Sequence, residues 1–135
     1  MIVPQQSIAD VHLRMSAAGV RHVLGAPRST RSLKDEIQGT IRLMDYGKTK
    51  VYLSATADGT VFSVMTTDRR QKTETGVGVG SSLRSLRRGV KSLHCTAPAA
   101  IRSCTLGREL AGRRVTRFLL SGDRVRQITL GFVID

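Results

Sequence analysis

Two cysteines are the residues of this chain whose chemistry is easiest to define. Cys95 and Cys104 enclose eight residues with no apolar face, and joining them would constrain the unfolded chain by about 2–3 kcal/mol on the loop-entropy model. We interpret the pair as a structural disulfide, which indicates an oxidising compartment. Unpaired thiols are one alternative. A metal site or a catalytic thiol with the adjacent His94 is weaker, because paired ligand spacing and an orienting third group are both missing.

A glycine-rich segment, Gly76 to Ser82, could in principle surround a phosphate with backbone amides. Its context does not support that function. No apolar strand precedes it, the Lys-Ser/Thr of a P-loop is missing, and no acidic residue follows at the spacing that a ribose would need. We interpret the segment as a close-packed approach to a helix that a serine caps.

The remaining residues with catalytic potential do not form a recognisable set. The histidines have no acidic partner at metal or triad spacing, and the carboxylates offer no separated acid and base pair. The serines include no Gly-x-Ser-x-Gly nucleophile turn. The sequence therefore predicts a protein that is not an enzyme and that holds no metal or cofactor. The histidines are His12, His22 and His94.

The charge is strongly positive and unevenly placed. The 135 residues carry a formal net charge of +12, with 8 Lys/Arg against 5 Asp/Glu in residues 1–67 and 14 against 5 in residues 68–135. Such a positive field attracts acidic proteins and polyanions alike, so it does not identify the partner. A cytoplasmic nucleic-acid or polyanion-binding protein is therefore the alternative to a protein-binding function. No apolar run approaches the ~20 residues of a membrane span.

Segments of the chain repeat at a nearly constant offset. Residues 11–24 and 77–90 align at an offset of 66, and each reads as a short extended segment, a capping serine and a helix with apolar residues three or four apart. The first helix is predicted from Ala17 to Leu24, because Gly25 permits a left-handed residue and Pro27 prevents continuation.

Two predicted β-hairpins repeat at an offset of 64. In the first, residues 50–56 and 60–66 flank Asp58-Gly59, a strong turn signal between β-rich runs. In the second, residues 114–120 and 124–130 flank Ser121-Gly122-Asp123. Ile41 to Tyr46 and Ile101 to Leu106 are candidates for one further strand in each half.

These patterns predict an α+β fold made of two tandem helix-plus-hairpin repeats. The expected sheet has four to six mostly antiparallel strands, with the helices packed on one face. The first repeat spans residues 1–67, a polar linker spans 68–75 and the second repeat spans 76–135. Because an isolated hairpin is unstable in water, we expect the two repeats to share one core.

The pattern resembles the β-lactamase inhibitory protein family and its relatives, the small SmpA/OmlA-type envelope lipoproteins. The segment from Leu13 to Pro27 is similar to their helix with its Gly-x-Pro stop, and Val51 to Met65 is similar to their hairpin. The resemblance implies an exported protein that works by contact through one face of its sheet. It also implies a disulfide between helix and strands, where Cys95 and Cys104 fall.

The function expected from these observations is non-enzymatic protein binding outside the cytoplasm, as an inhibitor or an envelope-assembly protein. The partner is another protein, and the charge favours an acidic one. Secretion or an envelope location presupposes a leader that this chain does not contain, since Met1 to Gln6 has neither a basic nor an apolar region. The candidate contact surface is the concave sheet face, with Tyr52, Ser54, Arg117 and Arg126.

Overall fold

A computed structural model describes residues 1–55 and 59–134 of the chain. Strands account for 47% of the structure and helices for 11%. The helices are α1 (Ala17–Leu24) and α2 (Leu83–Gly89). The strands are β1 (Ile2–Val3), β2 (Ser7–Ile8), β3 (Val11–His12), β4 (Ser29–Asp35), β5 (Gly39–Asp45), β6 (Thr49–Ser54), β7 (Val61–Thr66), β8 (His94–Cys95), β9 (Ile101–Leu106), β10 (Arg114–Ser121) and β11 (Arg124–Phe132).

The strands form a small sheet and a large one. The small sheet has three strands in the order β1-β2-β3, and the large sheet has eight in the order β4-β5-β6-β7-β11-β10-β9-β8. Every neighbouring pair is antiparallel. Each half of the chain contributes four consecutive strands to the large sheet, and the halves meet where β7 pairs with β11.

The predicted α+β fold of two helix-plus-hairpin repeats is therefore wrong. The described residues form a mostly β structure, in which each helix precedes four strands of an eight-stranded sheet and not one hairpin. The strands that the prediction lacked are short or polar. β4 has five exposed residues out of seven and no apolar alternation, because neither of its faces is covered by the core. β1, β2, β3 and β8 each have only two residues.

The capping serines predicted for the two helices are present in the structure. Helix α1 begins and ends where the sequence predicted, with the Ser16 hydroxyl accepting a hydrogen bond from the Gly19 amide at 3.0 Å and Gly25 at a φ of 81°. Ser82 caps α2 in the same way, since its hydroxyl accepts from the Ser85 amide at 3.1 Å. Neither helix in the described ranges is long and apolar enough to cross a membrane.

Both predicted hairpins are present as strand pairs. β6 pairs with β7, although Asp58 of the predicted turn lies outside the described residues. β10 pairs with β11 through a two-residue turn in which Gly122 has a φ of 59°, a conformation that glycine adopts without steric cost. Each strand pair contains a one-residue β-bulge, at Phe62 in β7 and at Arg126 in β11. Such bulges increase the local twist of a sheet.

Each helix is tied to its half of the large sheet through the backbone. Val61 exchanges hydrogen bonds with residues 14 and 15 at 2.7 and 2.9 Å, and Val125 exchanges them with residues 80 and 81 at 2.7 and 2.9 Å. The chain therefore reaches α1 and α2 in the same way relative to β7 and β11. These bonds fix where each helix starts, because the capping serine follows directly.

The buried core combines side chains from both halves. Val20 of α1 and Leu86 of α2 are fully buried in one cluster with side chains of both sheets. Phe118 lies near its middle, opposite Ile128 on one neighbouring strand and Cys104 on the other. Because this cluster contacts one face of the large sheet, the two helices are packed on that face.

The first residues of the chain are hydrogen-bonded to β10, which lies far from them in the sequence. The Gln5 amide donates to the Thr116 hydroxyl at 2.7 Å, and the Gln5 side chain donates to the Arg114 carbonyl at 3.0 Å. The Arg114 guanidinium donates back to the Gln5 carbonyl at 3.0 Å and also lies over the Phe132 ring, 6.0 Å from its centroid. The small sheet is thereby held against β10.

The segment between the halves, residues 68–75, is polar but not free in solvent. Asp68 and Thr73 are buried. The Asp68 carboxylate accepts hydrogen bonds from the Arg70 amide at 2.9 Å and from its guanidinium at 3.1 and 3.2 Å. These bonds, with the guanidinium contact first, hold the pKa of Asp68 below its ordinary value.

Replacement of a core leucine tests this packing. We expect Leu120→Ala to lower the free energy of unfolding by about 2–5 kcal/mol, because Leu120 is 0% exposed and its loss leaves a cavity. Leu110→Ala is the matched control, since Leu110 is 52% exposed and its change should cost less than about 0.5 kcal/mol. Urea denaturation of both variants measures the difference. Equal losses would contradict the burial described above.

The lowered pKa of Asp68 predicts a pH-dependent contribution to stability. A carboxylate with a depressed pKa in the folded state stabilises fully above its unfolded pKa and loses that contribution as the pH falls through the folded value. Asp68→Asn should therefore cost about 1 kcal/mol at pH 5 to 7, and the gap to the unsubstituted protein should close below about pH 4. Thermal unfolding across this range, with Glu74→Gln as a linker control, makes the measurement. A gap that persists at low pH would refute the assignment.

Candidate functional site

One face of the large sheet is turned away from the core and from both helices. Along β6, Val51 and Leu53 are buried in the core cluster, whereas Lys50, Tyr52 and Ser54 alternate with them and point the other way. Strand pairing carries this division across the sheet, so the outward positions of neighbouring strands form continuous rows. We call the surface made by these outward positions the open face.

Two rows of side chains cross the open face. The pairing registers place the members of each row directly opposite one another. At about 4.8 Å per strand, the longer row spans about 29 Å. The shorter row is Leu43, Tyr52, Ser63, Gly131 and Val115. The longer row is Asp45, Lys50, Met65, Thr129, Arg117, Thr105 and His94.

Apolar side chains are prominent on the open face. Ile41, Leu43 and Val115 do not belong to the core cluster and are only 8%, 2% and 3% exposed, so they are covered on this face and not presented to solvent. Tyr52 and Phe62 lie with their ring centroids 6.4 Å apart. The solvent side of an antiparallel sheet is usually polar. The open face therefore departs from what a purely solvated sheet surface requires.

A depression of about 340 Å³ lies in the middle of the open face. Its floor includes Gly131, directly opposite Ser63, and a Cβ on Gly131 would come within 3.2 Å of the Phe62 carbonyl oxygen. Glycine thus permits a hollow at the centre of the sheet. Arg117 lines the hollow and forms an ion pair with Glu109 at 2.6 Å.

A second depression adjoins the first at Glu109. It has a volume of about 670 Å³ and is lined by outward residues of β8 and β9 together with the loop that follows β9. His94 belongs to this wall and lies opposite Thr105. The two hollows, which share Glu109, make the second half of the open face recessed and not flat.

Tyr52 remains a neutral phenol at physiological pH. Burial raises its pKa above the ordinary value, the nearby Asp45 carboxylate raises it further, and Arg31 opposes the shift. A neutral phenol can both donate and accept a hydrogen bond beside an apolar ring. Tyr52 is therefore suited to contact a partner as an aromatic with a polar tip.

The four predicted contact residues are not all together. Tyr52 and Ser54 share the outward side of β6, and Arg117 lies on the same face in the longer row. Arg126 occupies the bulge of β11 and lines a separate depression with Arg69 and Arg124. The sequence did not predict Phe62, Met65 or Val115 as outward residues, because the bulge at Phe62 interrupts the alternation of β7 and Val115 follows an arginine at the start of β10.

Cys95 and Cys104 form a disulfide, as predicted. They are a cross-strand pair of β8 and β9 with their Cα atoms 4.0 Å apart. Cys104 is buried opposite Phe118, so the bridge ties the outermost strand to the core face. His94 precedes Cys95 in an extended strand and therefore points to the opposite face.

The other residues considered for chemistry are dispersed. Within residues 1–55 and 59–134, no three His, Cys, Asp or Glu side chains lie close enough to hold a metal ion. The glycine-rich segment serves close packing, because a Cβ on Gly78 would come within 2.6 Å of the Gln71 carbonyl oxygen. The Ser81 hydroxyl accepts a hydrogen bond from the Gly78 amide at 3.0 Å, which closes this turn before α2.

Removal of the disulfide tests its structural contribution. We expect the double variant Cys95→Ser with Cys104→Ser to lose about 2–3 kcal/mol of unfolding free energy, because its unfolded chain is no longer closed into a short loop. Denaturation before and after reduction of the unsubstituted protein provides the matched comparison. If reduction changes the stability by less than about 0.5 kcal/mol, the bridge does not contribute as described.

The chain was compared with known proteins at three levels. Protein-family models, curated protein sequences and solved structures each returned no match. The resemblance to the β-lactamase inhibitory protein family is therefore neither supported nor refuted by these comparisons and stays a hypothesis.

Proposed function

We propose that this protein is an exported, non-enzymatic binding module that engages another protein through the open face. The observation that carries the proposal is a set of partly exposed apolar side chains on a sheet face that neither helix covers. Tyr52, Phe62, Met65 and Leu119 supply aromatic and aliphatic contact area there. Aromatic residues and methionine are enriched in protein interfaces, whereas a solvated sheet face needs neither.

The dimensions of the open face suit a protein partner. A row of about 29 Å and strands of about 20 Å give a projected area of roughly 600 Å². A standard interface buries about 800 Å² on each partner. The hollows beside Arg117 and Glu109 offer recesses for projecting side chains, which is where the strongest contributions to binding concentrate.

Charge contributes more to the rate of association than to the contacts within the complex. On the open face Lys50 lies opposite Asp45 and Arg117 is paired with Glu109, whereas Arg31 and Arg108 add positive charge. The net charge of +12 belongs to the whole molecule. It favours an acidic partner by accelerating association, an effect that salt weakens.

The compartment in the proposal depends on the disulfide. Stable bridges form in oxidising environments and are rare in the cytoplasm, so the Cys95–Cys104 bridge favours a secreted or envelope protein over the cytoplasmic nucleic-acid binder. The resemblance to β-lactamase inhibitory and SmpA/OmlA-type proteins suggests the corresponding roles, inhibition or envelope assembly. Both roles require binding through a surface and no catalytic group.

Matched charge substitutions test the open face. Leu119→Glu places a carboxylate on the open face, and Ile37→Glu makes the same change at an exposed position between β4 and β5, where Ile37 is 66% exposed. A partner is first captured from envelope and secreted fractions. We expect Leu119→Glu to weaken its binding tenfold or more, which corresponds to a loss of at least about 1.4 kcal/mol of binding free energy. Ile37→Glu should bind as the unsubstituted protein does.

Hydrogen exchange of the complex locates the contact. Protection should appear in β6, β7, β10 and β11 while α1 and α2 stay unchanged. Capture that survives Leu119→Glu, or protection confined to the helices, would contradict binding through the open face. Thermal unfolding of both variants serves as the control for folding.

A further inference from the structure

Five arginines converge at one end of the molecule, away from the rows of the open face. They line two neighbouring depressions of about 580 and 490 Å³ where the segment before α2 meets the turn between β10 and β11. The depressions are adjacent because Ser82, in the wall of the first, pairs with Arg124, in the wall of the second. We call this surface the arginine cleft. Its arginines are Arg69, Arg84, Arg87, Arg124 and Arg126.

The backbone beneath the arginine cleft is held in place. The Gly80 amide donates to the Val125 carbonyl at 2.7 Å, and the Leu83 amide donates to the Asp123 carbonyl at 2.9 Å. The side chains of the cleft therefore project from strands and a helix start that cannot separate without breaking these bonds. A surface organised in this way loses little conformational freedom when it binds.

Two guanidinium groups lie beside Gly80. The Arg69 Nη1 lies 3.2 Å from the position that a Cβ on Gly80 would occupy, and the Arg124 Nη1 donates to the Gly80 carbonyl at 3.3 Å. Gly80 has a φ of 96°, which side-chain-bearing residues rarely adopt. Like charges on one surface repel one another, and a bound anion relieves that repulsion.

The cleft has little negative charge of its own. Among the described residues, the ion pairs are Arg70 with Asp68 and Arg117 with Glu109, and neither involves an arginine of the cleft. Asp123 is the one carboxylate residue in the walls of the two depressions. Five guanidinium groups therefore face a single carboxylate, and guanidinium groups bind phosphate and sulfate oxygens with two hydrogen bonds at once.

We infer that the arginine cleft binds a linear polymer that carries phosphate or sulfate groups. Two depressions in succession fit several anionic groups of one chain better than a single small anion. No aromatic residue lines either depression, so the cleft has no platform on which nucleobases could stack. Helix α2 has seven residues, too few to act as a recognition helix in a DNA groove.

This inference is independent of the proposed protein-binding function. The cleft is formed by the segment before α2, by α2 itself and by the ends of β10 and β11 at their shared turn, whereas the rows of the open face cross these strands farther from the turn. A polymer bound in the cleft would hold the protein in place while the open face stays available. A failure of one proposal therefore leaves the other standing.

Paired charge-neutralising variants test the cleft. Arg69→Gln with Arg124→Gln removes two charges from it, and Arg84→Gln with Arg87→Gln removes two others from exposed positions of α2. The control, Arg31→Gln with Arg42→Gln, removes two charges from the exposed residues of β4 and β5. Binding to polyphosphate, heparin, single-stranded DNA and anionic lipid vesicles is measured for each from 50 to 300 mM salt.

We expect the unsubstituted protein to bind polyphosphate or heparin. The ratio of the two affinities identifies phosphate or sulfate as the preferred group. Each cleft variant should bind about tenfold more weakly at low salt, and the salt dependence should fall by about two counterions. The affinity of the control variant should change by less than about twofold. Equal weakening by cleft and control variants would reduce the effect to net charge and overturn the inference. Preference for DNA or for vesicles at equal charge would overturn it as well.

Discussion

The pairing of β7 with β11 is the interaction on which the rest of the structure depends, because it joins two four-stranded units into one sheet. The contact is short, with four residue pairs between Ser63–Thr66 and Ile128–Gly131. It buries Val64 against Leu130 on the core side. On the other side it places Gly131 opposite Ser63, which leaves the central hollow of the open face. One strand pair thus builds both the core and the candidate binding surface.

The two proposed surfaces differ in their physical character. The open face is wide and partly apolar, and its Arg117 is paired with Glu109. The arginine cleft is polar and has five guanidinium groups against one carboxylate in its walls. Burial of apolar area suits a folded protein partner, whereas concentrated positive charge suits a flexible polyanion. The Cys95–Cys104 disulfide is of the kind found mainly in proteins of oxidising compartments.

The sequence by itself determined the features that depend on neighbouring residues. Ser16 and Ser82 are helix caps because a hydroxyl next to free backbone amides needs no distant partner. Gly122 marks the turn between β10 and β11, and the alternation on either side marks those strands. The disulfide between Cys95 and Cys104, which the sequence favoured over unpaired thiols, is present. Each of these signals is contained in fewer than about twenty residues.

Only the tertiary structure decided the extent of the sheet and the composition of its surfaces. β4 has no apolar alternation and is a strand because its seven residue pairs with β5 satisfy the backbone groups on that side. The small N-terminal sheet depends on contacts such as that of Gln5 with Thr116, 111 residues away. The separation of Arg126 from Tyr52 follows from strand register, and Arg69 and Arg124 both lie beside Gly80 although they are distant in the sequence. Register is set by packing between distant segments, which no local pattern records.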